Sequence, residues 1–140
     1  MAYPVELLTT VADCDLVLAA AAEERAEIDY RQTQLQHLHT VGVGRSTELN
    51  AALTGATTEY NVLGALLPTM AEGNTKKKNE REYKRLEYRI YVLGEQQASG
   101  ENGVIAQFKR KYEINCITRQ FEENDTLKAE VEARRTVLQG

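Results

Sequence analysis

The sequence predicts an all-α protein that folds as an antiparallel, up-down-up-down bundle of four helices. Apolar residues recur at alternating steps of three and four along most of the chain, the spacing of one helix face in a left-handed bundle. Two prolines and few glycine-rich breaks leave little of the turn chemistry that an all-β fold needs. Because 140 residues is the usual size of one domain, we expect a single bundle over residues 1–140.

The first helix is predicted to begin at Pro4 and to end near Thr40, just before two glycines. Proline suits the first position of a helix, and the glycines at 42 and 44 are typical of a helix end. Residues at alternating steps of three and four, called a ladder below, run along this helix. They predict one continuous packing face that becomes partly polar in its second half. The ladder residues are Leu7, Val11, Cys14, Leu18, Ala21, Arg25, Ile28, Gln32, Leu35 and His39.

The second helix is predicted to begin after Ser46, whose hydroxyl can cap a helix N-terminus. Pro68 lacks a backbone donor, so the helix should kink there or stop one residue earlier, and Gly73 should close it. This helix carries the most regular ladder in the chain: Leu49, Leu53, Ala56, Tyr60, Leu63, Leu67 and Met70.

The last two helices are separated by the strongest turn signal in the sequence, residues 98–103. The third helix should begin at Asn79, which resembles a capping box with a glutamate three residues later, or as early as Thr75. The fourth is predicted from about Val104 to Leu138. It carries two apolar stripes and a slip in register before its final apolar residues, which are Leu127, Val131 and Leu138.

The predicted helix lengths follow a long, short, short, long pattern, about 35 residues outside and 20 to 26 inside. The second helix should fold back along the first, and the outer helices should project past the inner pair by about 15–20 Å. Residues 16–22 are apolar on every side, which the fourth helix alone cannot cover. We therefore expect a homodimer or larger assembly, although the second helix could instead cover this segment within one subunit. The expected self-association residues are Leu8, Val11, Leu16, Val17, Leu18, Val131 and Leu138.

Global composition favours a cytoplasmic protein that has no affinity for membranes. The net charge of −4 gives no overall attraction to nucleic acid or to anionic lipid. The segment that ends near residue 22 has neither the charge pattern of a signal peptide nor the length of a bilayer span. Cys14 and Cys116 stand far apart in the sequence, so we expect two free thiols that fill small core positions.

The third predicted helix is the most basic part of the chain, whereas the first carries seven acids and two bases. This complementarity favours packing of the first helix against the third, within one chain or across a subunit boundary. Tyrosines interleave the bases, so nucleic-acid binding is the alternative hypothesis for this helix. Its candidate contacts are Lys76, Lys77, Lys78, Arg81, Lys84 and Arg85.

Acidic residues at helical spacing are compatible with a further, weaker alternative. All-α nucleotide pyrophosphohydrolases bind magnesium through such clusters, and here they comprise Glu23, Glu24 and Glu27, with Glu122 and Asp125. Acidic helix faces are commonly no more than solvated surface, and no pattern predicts a catalytic residue, a metal ligand or a cofactor. The sequence thus favours a non-enzymatic protein that works by association with itself and with another protein, as an assembly subunit, structural component or adaptor.

Overall fold

The computed structural model describes residues 3–140, and 90% of the chain is helical. A 3₁₀ turn at Val5–Leu7 precedes helix α1, Val11–Leu66, and a second 3₁₀ turn, Leu67–Thr69, follows it. Helix α2 covers Asn74–Ser99 and helix α3 covers Val104–Gln139. The all-α prediction is confirmed for the described residues, which contain no strand. They form three α-helices and not four, since the first two predicted helices are one.

The predicted break at the glycines 42 and 44 was wrong. Both residues lie inside α1, and their backbone is ordinary helix. Neither has a positive φ, which among the described residues occurs only at Gly73. A glycine costs a helix only about 1 kcal/mol relative to alanine, which packing can offset. Gly42 is also buried beside Arg110, whose guanidinium occupies the space that a β-carbon at position 42 would need. This glycine therefore serves close packing.

The start of α1 also differs from the prediction, because a cap at Thr10 prevails over the proline at position 4. The Oγ1 atom of Thr10 accepts a hydrogen bond of 3.1 Å from the backbone N–H of Asp13. In return, the Asp13 carboxylate accepts one of 3.3 Å from the backbone N–H of Thr10. This reciprocal pair is a capping box with aspartate in place of glutamate, and it lowers the pKa of Asp13.

The remaining boundaries lie close to the predicted ones. Helix α1 stops two residues before Pro68, as the missing backbone donor requires. Gly73 has a φ of +153°, which a side chain would disfavour, and it separates the second 3₁₀ turn from α2. Helix α2 begins nearer to Thr75 than to Asn79. Helix α3 covers the predicted segment to within one residue.

The chain divides into two compact units, and Met1–His37 with Lys111–Gly140 form the first. Here the first part of α1 packs antiparallel against most of α3 as a two-helix hairpin. Its core residues recur every seven positions on both helices: Cys14, Ala21 and Ile28 from α1, with Ile117, Asn124 and Val131 from α3. The Arg135 guanidinium holds the Asp15 carboxylate at 2.7 Å near the end of the hairpin.

Leu38–Arg110 form the second unit, in which α2 folds back along the last part of α1. The rings of Tyr60 and Tyr83 stack with centroids 4.2 Å apart and planes 9° from parallel. Ala56 and Leu86 are buried in this unit. The antiparallel pairing of these two segments is the one that the sequence predicts for the two inner helices.

Candidate association surface

The seam of the hairpin has one row of buried residues on α1, and α3 adds the buried Ile114, three residues before Ile117, to a row of its own. Cys14, Ala21 and Ile28 occupy the same position in three successive heptads, and the corresponding row on α3 includes Ile117 and Val131. A two-helix core of this width covers only one side of each helix. The rest of each helix surface in this unit faces solvent or the grooves beside the seam.

Asn124 is the one buried polar side chain of this seam among the described residues, and it is 8% exposed. Its Nδ2 donates a 2.9 Å hydrogen bond to the backbone carbonyl of Ala21, and its Oδ1 accepts one of 3.4 Å from Arg25. Arg25 also forms an ion pair with Asp125 and lies 5.0 Å above the centre of the Phe121 ring. The site thus joins the two helices through hydrogen bonds as well as through apolar contact.

Asn124 also corrects the prediction of a slip in register in the last helix. No slip occurs, because Asn124 occupies the heptad position midway between Ile117 and Val131. The pairing of the two helices is shifted from the flush arrangement in which residue i faces residue 143 − i. That arrangement would place Arg25 opposite residue 118, whereas it binds residues 124 and 125.

Two grooves lie beside the seam and are lined only by residues of α1 and α3. The larger has a volume of about 650 Å³, with Leu18, Ala22, Ala26 and Phe121 among its apolar lining residues. The smaller has a volume of about 370 Å³ and is lined by Leu16, Val17, Ala20, Ala21, Glu24, Asn124 and Leu127. Small alanines lie in both, so a neighbouring helix could approach closely.

The apolar segment at residues 16–22 lies between these grooves. Ala21 is buried in the seam, and Leu16, by contrast, is 72% exposed. Val17 and Leu18 are half-buried and line different grooves. The segment therefore presents apolar surface on both flanks of the hairpin, as expected from its sequence.

The predicted self-association residues divide into three groups. Leu16 is exposed, and Val131 is only 1% exposed because it lies inside the seam of its own hairpin. The other five are half-buried along the hairpin: Leu8, Val11, Val17, Leu18 and Leu138. Val131 therefore supports the hairpin and is not available to a partner in this arrangement.

The predicted nucleic-acid residues lie on the first half of α2, and two of them are paired. Lys76 binds Glu72 at 2.8 Å, which raises the pKa of Lys76, and Arg85 binds Glu82 at 3.2 Å. The remaining four are exposed to solvent: Lys77, Lys78, Arg81 and Lys84. Of the nearby tyrosines, Tyr83 is stacked on Tyr60, so one face of its ring is already covered.

The acidic clusters do not converge on a metal site. Glu23, Glu24, Glu27 and Glu122 are exposed, and Asp125 is held by Arg25. From residue 3 onwards, no group of three or more histidine, cysteine or acidic side chains could hold a metal ion. The two cysteines are free, with Cys14 buried in the seam and Cys116 half-buried. A hydrogen bond with Cys116 raises the pKa of Tyr112.

Comparison with known proteins adds no further constraint. The chain matches no protein-family model, no curated protein and no solved structure. None of the helices in the described part of the chain combines the length and the apolar character that crossing a bilayer requires.

Proposed function

We propose that this protein is a non-enzymatic assembly component that works by helix–helix association, and that its first partner is a second copy of itself. One observation carries the proposal: residues 16–22 are apolar on every side, while α3 covers only the side that bears Ala21. A helix that is apolar all round is normally buried all round. A partner helix on each flank would complete that burial.

The two grooves suit a partner of the same kind. Two hairpins that pack with their larger grooves together would form a four-helix bundle between two chains, the arrangement predicted from the sequence for one chain. The larger groove is lined by two cations, Arg25 and Lys128, and by two anions, Asp29 and Glu132. Equal numbers of both signs favour a two-fold interface, in which the same patch must complement itself.

The exposed leucine of this segment shows the scale of the gain, since Leu16 is 72% exposed. Complete burial of an exposed leucine side chain contributes about 1.5–3 kcal/mol. Leu18 is already half-buried and would gain only part of that amount.

The test is the absolute mass by light scattering behind size exclusion, over a hundredfold range of concentration. We expect a dimer or larger species for the wild-type chain and a shift to monomer for Leu18→Glu. Val43→Glu is the matched control, because Val43 is an exposed apolar residue of the same helix that lines neither groove. Circular dichroism would show that both variants keep their helices.

A wild-type monomer at every concentration would contradict self-association. Equal loss of mass in Leu18→Glu and Val43→Glu would show that the grooves have no special part in it.

A further inference from the structure

Helix α2 carries a basic–aromatic stripe on the face that points away from its own unit. The stripe comprises Lys77, Arg81, Lys84, Tyr88 and Tyr91, whose steps of four and three keep them on one side of the helix. Leu86, the buried residue of α2, lies on the opposite side. All five stripe residues are exposed, Tyr88 by 71% and Tyr91 by 65%.

The charges of this stripe have no partners in the part of the chain that the structure describes. The ion pairs on α2 engage Lys76 and Arg85, which lie to either side of the stripe, and none engages Lys77, Arg81 or Lys84. Two tyrosine rings and three unpaired cations in one row form a surface that a partner of opposite charge can cover.

Helix α1 carries a matching acidic stripe on the outward face of the hairpin. It comprises Leu16, Ala19, Glu23, Glu27 and Tyr30, on the side of α1 opposite the seam residues. All five are exposed, and Tyr30 is 65% exposed. No ion pair within residues 3–140 engages Glu23 or Glu27.

The two stripes have the same length and complementary order. Each spans fourteen residue steps, which corresponds to about 21 Å of helix. When they run antiparallel, Glu23 faces Lys84 and Glu27 faces Arg81 to within one residue. In the same register the apolar ends also match, with Leu16 against Tyr91, Ala19 against Tyr88, and the Tyr30 ring against Lys77.

We propose that the basic–aromatic stripe of one copy docks antiparallel on the acidic stripe of a second copy. This inference rests on the proposed function and adds a contact on the outward face of α1 to the groove contact. Each copy carries both stripes, so each copy offers both halves of this contact to another. Exposed ion pairs add little affinity individually, but they select the partner and its register, while the apolar and aromatic ends are buried.

A single-stranded nucleic acid is the other occupant that cations and tyrosines could attract. It would leave the acidic stripe of α1 uncovered. It would also meet Glu80 and Glu87, which lie on one flank of the basic–aromatic stripe. A second copy complements both stripes together, and the observations therefore favour it.

The test uses Lys84→Glu and Glu23→Lys, each made in the full chain. Either variant alone places like charges opposite each other wherever the contact forms, and we expect its dimer dissociation constant to rise at least tenfold. In a one-to-one mixture, each variant finds the opposite charge on the other, whichever of the two supplies the basic–aromatic stripe. We therefore expect the mixture to recover the wild-type mass, measured by sedimentation velocity at a concentration where each variant alone is monomeric.

Lys109→Glu and Glu122→Lys are the matched controls, because both are exposed charges on α3 outside the two stripes. We expect each to keep the wild-type mass. Recovery in the stripe mixture alone would support the proposal, since neither misfolding of one variant nor a contact within one chain produces it.

Three results would overturn the inference. A wild-type dimer that Lys84→Glu leaves intact, while Leu18→Glu dissociates it, would overturn the stripe contact and keep the proposed function. A monomeric wild type would overturn both. A labelled single-stranded oligonucleotide that binds the wild type and Glu23→Lys but not Lys84→Glu, together with a mixture that fails to recover mass, would assign the basic–aromatic stripe to nucleic acid.

Discussion

Replacement of Asn124 tests how the hairpin chooses its register. Asn124→Ala removes the 2.9 Å hydrogen bond to the Ala21 carbonyl, which contributes about 1 kcal/mol. The Ala21 carbonyl keeps its ordinary helical hydrogen bond, and Arg25 keeps its ion pair with Asp125. The substitution therefore leaves no buried polar group without a partner. With the small loss of packing, we expect the free energy of unfolding to fall by about 1–2 kcal/mol.

Asn124→Leu removes the same hydrogen bond and adds apolar surface to the seam. Full burial of a leucine side chain contributes about 1.5–3 kcal/mol, which would offset the lost hydrogen bond. We therefore expect Asn124→Leu to be at least as stable as the wild type. A buried asparagine in a helical seam limits alternative registers and oligomeric states at a cost in stability, so this variant should also show a broader distribution of masses.

The assay is urea unfolding followed by circular dichroism at 222 nm, with masses by light scattering on the same samples. The slope of the unfolding free energy on urea should be unchanged, so that the midpoints report stability. If Asn124→Leu were clearly less stable than the wild type, apolar burial would not compensate for the lost hydrogen bonds at this position. The hydrogen bonds of Asn124 would then contribute more to the seam than an apolar side chain there does.

Two further predictions concern the second unit. Gly44→Ala should raise the free energy of unfolding by about 0.5–1 kcal/mol, because a β-carbon there meets nothing within 4 Å. Gly42→Ala should raise it by less, because the Arg110 guanidinium must move aside, and urea midpoints will show the difference. A hydrogen bond with Tyr83 raises the pKa of Tyr60 from 10.0 to about 12, so the folded chain holds this proton more tightly than the unfolded chain. The resulting stability is complete below pH 10 and is lost as the pH rises to 12, and Tyr60→Phe should remove that part of the pH dependence in unfolding titrations. A gain in Gly42→Ala that equals or exceeds the gain in Gly44→Ala, or an unchanged pH dependence in Tyr60→Phe, would contradict these arguments.

The helical content and most of the packing faces could be predicted because they follow from the spacing of apolar residues. The break at residues 42–44 could not, since glycine favours a helix end without requiring one. A signal for continuity was present nevertheless. The ladder of the first segment, ending at Leu35 and His39, continues in phase through Gly42 and Ser46 to Leu49. A true break between two helices has no reason to preserve that phase.

The role of Asn124 was missed for a related reason. In the last helix the prediction rests on apolar residues alone, and these leave a gap between Phe121 and Leu127 that resembles a slip in register. A polar residue can occupy a core position when its hydrogen bonds are satisfied, and Asn124 meets that condition through Ala21 and Arg25. Which polar residue finds such partners depends on the register of the opposite helix, and the sequence alone does not specify that register.

The unbroken α1 strengthens the case for association more than the predicted bundle did. In the predicted fold, a second helix that folded back could have covered residues 16–22 within one subunit. In the hairpin, every residue that lines the two grooves comes from α1 or α3, and these helices already use one side each for the seam. Apolar surface on the flanks, such as Leu18, therefore has no further element of its own unit to cover it. A partner helix is the physical means left to remove that surface from water, which is why the mass of the Leu18→Glu variant tests the proposed function most directly.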